Sequence, residues 1–252
     1  MKPWTYNEFA LCSVTDYLSV EEAARYDARM RTVRDVDAEN RDLIARIQTH
    51  LEGGLTPDSR ILEIGTGTGA FARAVAPLCK DVVATDVSPT MLDYAQRKAA
   101  EEHHANITFV HNGFLTCNAP DASFDVVLSS LVLHHLPDAW KAEAIANVYR
   151  MIRPGGLFLL VDVVFDCEGG QLDAYLAKSI APDMNPDMKT ALYGHVRQEY
   201  STLRWIMDGI LERAGFEIRY FGTFGLLGHL YVCRKMDSCK SGCHGEFSGM
   251  SA

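Results

Sequence analysis

Short apolar segments alternate with amphipathic segments through the middle of the chain. Each apolar segment is short enough to be a buried strand, and the segment after it carries apolar residues at helical spacing. The predicted strands cover residues 60–65, 81–86, 107–111, 124–130 and 157–165. Strands that alternate with helices form a parallel sheet with helices on both faces. The pattern therefore predicts an α/β fold.

The last part of the pattern differs, because two predicted strands follow each other without a helix between them. A predicted helix over 201–214 precedes a strand over 215–221, and the turn GTFG leads into a second strand that ends at residue 235. Two consecutive strands with a short connection are antiparallel. The sequence therefore predicts a mostly parallel sheet that ends with one antiparallel strand.

Breaks in the alternation divide the chain into three parts. Residues 1–54 contain a long helical pattern and are predicted to form an N-terminal helical cap, and residues 55–235 form the main domain. Within the main domain, residues 166–200 hold two short helical pieces and are predicted to be an inserted lid over the carboxyl edge of the sheet. Residues 236–252 are small and polar, which predicts a flexible tail.

The composition favours a cytoplasmic protein. The chain has 252 residues and a net charge of −9, which disfavours nucleic acid as a partner. We find no pattern typical of a signal peptide and no uninterrupted apolar run of the ~20 residues that a membrane span needs. The cysteines follow no regular spacing and are expected to be reduced thiols. A monomer and a homodimer both remain open.

A glycine-rich loop follows the first predicted strand. By spacing alone, Gly65-x-Gly67-x-x-Ala70 matches the dinucleotide fingerprint, and Asp86 lies about 20 residues further on, where a ribose-binding acid is expected. Glu63 changes this interpretation. A carboxylate at the end of the same strand would repel a pyrophosphate, whereas it would attract a cation that has no phosphate. The loop therefore favours S-adenosylmethionine, which is positive at its sulfonium and ammonium groups.

The loop and the second strand predict specific cofactor contacts. The glycines let the backbone pass close beneath the ribose and methionine parts of the cofactor, where a Cβ would clash. Asp86, at the end of the second strand, can accept hydrogen bonds from both ribose hydroxyls. Val87 and Met91 would supply apolar contacts to the adenine.

Four motifs occur in the order and at the spacing of a known family. LEIGTGTGAFA, VVATDVSPTMLDYA, ASFDVVLSSLVLHHLPD and MIRPGGLFLLVD resemble successive motifs of class I S-adenosylmethionine-dependent methyltransferases, in particular the group that includes ubiquinone/menaquinone C-methyltransferases. The resemblance covers residues 55–235. It implies a Rossmann-like seven-stranded sheet with strand order 3-2-1-4-5-7-6 and an antiparallel last strand. It also implies S-adenosylmethionine as the cofactor and methyl transfer to a small-molecule acceptor.

The pattern and the resemblance together give a set of candidate cofactor contacts. Tyr26 is similar to a tyrosine that helps to close the cofactor site in this group. Many members carry an acid after the third strand that binds the adenine amino group. This chain has Asn112 there, so its side-chain carbonyl or the backbone would accept that hydrogen bond. The set comprises Tyr26, Glu63, Gly65, Thr66, Gly67, Gly69, Asp86, Val87, Met91, Asn112, Gly113, Phe114 and Ser129.

Residues near the ends of the fourth and fifth strands are candidates for the chemistry. Methyl transfer is an in-line displacement in which the protein mainly orients the acceptor and excludes water, and a base helps only if the acceptor loses a proton. His134 and Asp162 are the candidate catalytic residues, although packing and hydrogen bonding would equally account for both. The candidate substrate contacts on the predicted lid are His195, Arg197 and Tyr200.

Three other interpretations remain open. Cys239, Cys243 and His244 offer ligands for a soft metal or metalloid, as in arsenic methyltransferases of the same fold, but they fall short of a full tetrahedral set, and no metal is predicted. A non-catalytic partner module that binds S-adenosylmethionine would keep the same glycine loop. An NAD-linked oxidoreductase fits the glycine spacing alone.

Overall fold

The computed structural model describes residues 3–10, 23, 25, 28, 31–32, 34–180, 184, 186–225 and 228–236. The predictions for Tyr26 and for the tail residues Cys239, Cys243 and His244 concern positions outside these described residues. None of the helices in the described part is both long enough and apolar enough to cross a membrane.

Within that part, seven strands form one mixed sheet. They are β1 (Arg60–Ile64), β2 (Asp81–Asp86), β3 (Ile107–His111), β4 (Phe124–Ser130), β5 (Ile152–Asp162), β6 (Phe216–Phe224) and β7 (Gly228–Lys235). Their spatial order is β3-β2-β1-β4-β5-β7-β6, and β7 runs antiparallel to both of its neighbours. The predicted strand order and the antiparallel last strand are therefore confirmed.

Helices cover both faces of this sheet. They are α1 (Val36–His50), α2 (Ala70–Val75), α3 (Pro89–Glu101), α4 (Asp138–Met151), α5 (Leu172–Ser179), α6 (Pro186–Gln198) and α7 (Arg204–Ala214). On one face α1 and α2 contribute Ile47 and Phe71 to the core, and on the other face α4 and α7 contribute Ile145 and Leu211. The central strands are therefore buried on both faces, which explains why their sequences are almost continuously apolar.

Short-range sequence signals explain where the helices begin. The Asp35 carboxylate accepts a hydrogen bond from Ala38 N (2.9 Å) and caps α1, and the Ser88 hydroxyl accepts one from Met91 N (3.2 Å) and caps α3. Pro89 follows at the first helical position, where a backbone N–H would have no partner within the helix, so proline loses no hydrogen bond there. Helix α3 therefore starts directly after β2 and fixes the end of that strand.

Some element boundaries differ from the prediction. The strand predicted over 157–165 begins earlier and ends earlier, since β5 runs from Ile152 to Asp162. Residues 222–224, predicted as a turn, continue β6 because they pair with β7. The helix predicted over 201–214 begins only at Arg204, since Thr202–Leu203 pairs in parallel with Val164–Phe165 and forms a short second sheet.

The segments outside the sheet approach its carboxyl edge. Residues 3–10 form turns, so the predicted N-terminal cap is not helical there. Helices α5 and α6 are the two helical pieces predicted within 166–200. At the end of that insertion, Tyr200 N donates a hydrogen bond to His134 O (2.8 Å), which attaches the insertion to the turn after β4. The proposed division of the chain into a cap, a main domain and a tail stays a prediction.

Candidate active site

A cavity lies at the carboxyl ends of the parallel strands, where open α/β sheets bind their ligands. Its wall consists of the loop after β1, the end of β2 with the start of α3, the segments after β3 and β4, and part of residues 3–10. The predicted cofactor contacts that line it are Gly65, Gly67, Asp86, Val87, Met91, Asn112, Gly113 and Phe114.

The glycine loop is held against β2 and open toward the cavity. Gly65 N and Thr66 N both donate to Thr85 O at 2.8 Å. Gly65 has a φ of +77°, and a Cβ there would lie 2.2 Å from a methyl carbon of Val132. Gly67 has a φ of +52°, and a Cβ there would have no atom of the described residues within 4 Å. The positive φ favours glycine at both positions, and none of the described residues fills the space beside Gly67.

Asp86 connects this loop to the start of α3. One carboxylate oxygen accepts a hydrogen bond from Gly67 N and the other accepts one from Ser88 N, each at 2.8 Å. Burial raises the pKa of Asp86, and these N–H donors oppose that shift. A carboxylate oxygen can accept more than one hydrogen bond, so Asp86 keeps acceptor capacity toward the cavity that it lines.

Glu63 does not line the cavity, contrary to the expected contact with a positively charged ligand. It is buried, and its carboxylate accepts a hydrogen bond from Thr66 Oγ1 (2.6 Å). Burial raises the pKa of Glu63 to about 8, so the side chain is mostly neutral near pH 7. Because side chains alternate along a strand, Ile64 reaches the cavity while Glu63 points away from it. Glu63 supports the loop from behind.

Three further predicted contacts also lie outside the cavity wall. Thr66 is turned toward Glu63, and Gly69 begins α2 with a φ of +74°. Ser129 is fully buried, and its hydroxyl donates to Ile64 O (2.9 Å), which ties β4 to β1. The next residue, Ser130, lines the cavity instead.

The segment after β3 contains an acceptor atom that has no hydrogen-bond partner. Asn112 Oδ1 is buried and accepts no hydrogen bond from the described residues. Asn112 lines the cavity beside Gly113, and a Cβ at Gly113 would come within 2.5 Å of Glu8 Oε2. A buried oxygen without a donor is costly, so a ligand that supplies an N–H at this point would be favoured.

Glu8 is a site residue that the sequence did not reveal. Its carboxylate accepts hydrogen bonds from Leu115 N (3.0 Å) and from Thr116 Oγ1 (2.6 Å), so it lies beside the segment after β3, where the resemblance leads one to expect an acid. Tyr6 OH donates to His135 O (3.4 Å) on the other side of the cavity. Residues 3–10 therefore bridge the two sides of the cavity. Contacts across more than 100 residues leave no signal in a local motif.

A second group of polar residues lies at the ends of β4 and β5, and we refer to it as the histidine cluster: His134, His135, Asp162, His195 and Glu199. His134 Nδ1 contacts Asp162 Oδ1, and His134 Nε2 lies 3.3 Å from Glu199 Oε2. His195 Nδ1 contacts the same Glu199 oxygen. The structure thus brings together the predicted residues His134, Asp162 and His195, and it adds Glu199.

The protonation state of each residue in the histidine cluster depends on the charges of its neighbours. Burial would lower the pKa of His134, but the carboxylates of Asp162 and Glu199 raise it above its ordinary value. Burial would raise the pKa of Asp162, and the neighbouring His134 lowers it. Burial, assisted by His134, lowers the pKa of His135 to about 4, so this imidazole is neutral near pH 7. His135 lines the cavity, whereas His134 lies behind it.

The other predicted substrate contacts, Arg197 and Tyr200, do not line the cavity. Arg197 is exposed, and the Tyr200 side chain is 40% exposed. Tyr200 contributes through its backbone instead, since its carbonyl oxygen accepts a hydrogen bond from the buried Lys141 ammonium. In the part of the chain that the structure describes, His134, His135 and Glu199 form a group whose possible metal-ligand atoms lie within 4.8 Å of one another.

Comparisons with known proteins agree with this architecture. A family model described as "Methyltransferase domain" matches residues 61–156. Malonyl-[acyl-carrier protein] O-methyltransferase of Serratia marcescens is 34% identical over 137 residues, which cover 54% of this chain and 48% of that protein. The chain therefore spans about half the length of this relative. The ubiquinone/menaquinone biosynthesis C-methyltransferase UbiE of Vibrio campbellii is 25% identical over 187 residues, which cover 68% of this chain and 70% of UbiE.

A solved structure shows the same fold. The N-methyltransferase NodS from Bradyrhizobium japonicum WM9, in complex with S-adenosyl-L-homocysteine, matches 80% of this chain and 88% of its own length with a TM-score of 0.57 at 19% identity. The family match runs from β1 into β5 and so contains the glycine loop, Asp86 and the segment after β3. With the strand order and the four ordered motifs, this match supports a methyltransferase domain of the class I S-adenosylmethionine-dependent type over residues 61–156.

Proposed function

We propose that this protein transfers a methyl group from S-adenosylmethionine to a small-molecule acceptor that binds beside His135. The observation that carries the proposal is the position of Asp86, which lines the cavity while both of its oxygens are held by backbone N–H groups. A carboxylate fixed in this way is an acceptor for hydroxyl groups that does not need to reorganise when the ligand arrives.

The residues of the cavity fit this cofactor in two further respects. Asn112 Oδ1 lacks a donor, and the adenine amino group is a donor of the required kind. The open space above Gly67 leaves room where a side chain would otherwise stand. Val87 and Met91 offer apolar contacts for the adenine ring. Asp86 would hold the ribose hydroxyls.

The protein's contribution to the chemistry is orientation and exclusion of water. Bound S-adenosylmethionine supplies an electrophilic methyl group that needs no further activation by the protein. Tyr6, His135 and Leu136 form a wall against which an acceptor would be oriented. His134 and Asp162 lie behind this wall, and we assign them a positioning role that acts through His135.

Two observations support a small acceptor. The net charge of −9 disfavours a polyanionic substrate, and residues 3–10 together with the end of the 166–200 insertion lie over the carboxyl edge of the sheet. We propose that these two segments act as a lid. The relatives named above are O-, C- and N-methyltransferases, so they leave the acceptor atom open.

Ligand binding and turnover test this proposal. Isothermal titration calorimetry should show that S-adenosylhomocysteine binds the protein, and that NADH binds far more weakly. A panel of small acceptors with hydroxyl, amine, thiol and activated carbon nucleophiles is then screened for release of S-adenosylhomocysteine. Preference for NADH would overturn the cofactor assignment, and tight cofactor binding without turnover on a broad panel would favour a non-catalytic module.

A further inference from the structure

Three side chains of the histidine cluster come from two distant segments and converge at the end of β4. His134 and His135 are consecutive in a single 3-10 turn, Leu133–His135, and Glu199 follows helix α6 of the insertion. Each offers one nitrogen or oxygen atom, and these three atoms lie within 4.8 Å of one another. His134 and the Glu199 side chain are both more than nine-tenths buried.

The distance between His134 and Glu199 matches that between two ligand atoms on one metal ion. His134 Nε2 lies 3.3 Å from Glu199 Oε2. Two ligand atoms at the usual ~2.0–2.2 Å from a tetrahedral zinc ion are about 3.3–3.6 Å apart. His135 offers a ring nitrogen within 4.8 Å of a ligand atom of each of the other two residues, and its ring centroid lies 4.4 Å from that of His134.

Further contacts orient these ligands as in metal sites. Metal-binding histidines usually donate their second ring N–H to a carboxylate, which fixes the tautomer and the ring orientation. His134 makes this contact with Asp162, whose Oδ1 also accepts from Val163 N (2.7 Å). Glu199 is held by His195, and His195 in turn lies 2.7 Å from Ser201 Oγ.

The charge of the cluster also favours a cation. Two buried carboxylates, Asp162 and Glu199, share this small volume, and Asp162 Oδ2 has no hydrogen-bond partner among the described residues. The buried Lys141 ammonium is already bound by Asp138 Oδ1 (2.7 Å) and by a backbone carbonyl. A divalent ion would offset the two negative charges at the point where the ligands converge.

We propose that His134, His135 and Glu199 bind a divalent transition-metal ion of the zinc class. Two imidazoles and one carboxylate suit Zn²⁺, Fe²⁺ or Co²⁺, whereas Mg²⁺ prefers oxygen ligands only. Because His135 lines the cavity, we expect the ion to adjoin it. If the proposed function holds, an acceptor in the cavity would bind the ion through an ionisable oxygen or sulfur atom.

Metal titration of the full chain tests the site. The chain carries Cys239→Ser and Cys243→Ser so that the tail thiols do not bind metal, and it is first freed of metal with a chelator. Co²⁺ is followed by its visible absorption and Zn²⁺ by calorimetry, with Mg²⁺ as the ion that should not bind. We expect one Zn²⁺ or Co²⁺ per chain.

Matched variants assign the ligands. Glu199→Gln and His135→Ala should each weaken Zn²⁺ binding at least about 10-fold, and Asp162→Asn about 10-fold or more through the orientation of His134. Glu102→Gln is the control, because Glu102 Oε2 lies 3.4 Å from His104 Nε2 in a histidine–carboxylate pair to which the described residues add no third ligand. Its Zn²⁺ affinity should not change.

Two results would overturn the inference. One is an absence of Co²⁺ and Zn²⁺ binding in the parent chain, and the other is equal binding by the parent and by Glu199→Gln; both would leave an ion-pair cluster without a metal. S-adenosylhomocysteine binding, measured on the same samples, reports whether each variant is folded. A chain that binds Zn²⁺ through these ligands but transfers no methyl group would keep this inference and contradict the proposed function.

Discussion

The two sides of the sheet's carboxyl edge hold their buried carboxylates in different ways. On the cofactor side, at the end of β2, Asp86 is bound by the backbone N–H groups of Gly67 and Ser88. In the histidine cluster, Asp162 is bound by the imidazole of His134. Backbone dipoles cannot ionise, whereas an imidazole can gain or lose its charge. The cofactor side is therefore fixed by the domain itself, while the histidine cluster depends on the ionisation of its members.

The largest expected effect comes from removing a carboxylate of the histidine cluster. Asp162→Ala should lower the free energy of unfolding by about 3–5 kcal/mol, because His134 and Val163 N lose a buried partner. Denaturant unfolding of the metal-free protein measures this. The control is Asp166→Ala, whose ion pair with Arg204 is largely exposed and should contribute less than about 1 kcal/mol. Equal costs for the two variants would contradict the comparison.

A substitution at Gly65 tests how the glycine loop packs against the segment after β4. Gly65→Ala should cost about 2–4 kcal/mol of stability, because the residue has a positive φ and its Cβ would collide with Val132 of the segment after β4. Gly67→Ala should cost only about 1 kcal/mol, since nothing lies near its Cβ, yet it should weaken binding of S-adenosylhomocysteine. Thermal unfolding and calorimetry on both variants separate these effects. A milder stability loss for Gly65→Ala than for Gly67→Ala would be inconsistent with this packing.

For Asp86, the carboxylate at the end of β2, the prediction concerns the affinity for S-adenosylhomocysteine. Asp86→Asn replaces an oxygen that accepts a backbone N–H and should weaken S-adenosylhomocysteine binding about 100-fold, or about 2.7 kcal/mol. Calorimetry measures the change. Asp93→Asn, at an exposed position on α3, is the matched control and should bind normally. An unaltered affinity in Asp86→Asn would remove the main support for the proposed function.

The remaining prediction concerns Glu63, and its effect depends on pH. Its folded-state pKa of about 8 lies above the value of 4.5 for an exposed glutamate. The folded chain therefore keeps a proton that the unfolded chain releases, and the contribution to stability is lost as pH rises between these two values, by at most about 1.4 kcal/mol per pH unit.

Glu63→Gln removes this dependence. Relative to the parent, the variant should gain stability between about pH 6 and pH 8, as measured by urea unfolding at several pH values. Glu143→Gln, at an exposed position on α4, should show a difference that does not change with pH. Parallel pH profiles for the parent and Glu63→Gln would mean that Glu63 is ionised in the folded protein.

The sequence allowed the sheet and most of the cofactor side to be predicted, because the signals there are short in range. Gly67 and Asp86 are 19 residues apart in consecutive β-loop-α units, and each has its own motif. Two predicted contacts on strands, Glu63 and Ser129, do not line the cavity. Alternation along a strand makes the neighbours, Ile64 and Ser130, face it instead.

The histidine cluster could be predicted only in part. His134 lies in the turn after β4 and Asp162 ends the adjacent strand β5, so both were identifiable from the sheet topology. Glu199 could not be identified in this way, because it is the path of the inserted segment that brings its side chain to His134. Glu8 is a still more distant case, since its hydrogen bonds to Leu115 and Thr116 join residues separated by more than 100 positions.

Residues 3–10 have a kinetic consequence. Glu8 and Tyr6 attach this segment to opposite walls of the cavity. If the proposed function holds, we expect a nucleoside beneath the segment to leave only when those hydrogen bonds break. The dwell time of the spent cofactor would then be set by the detachment of a short stretch of chain, and its departure would be slower than that of a methylated product.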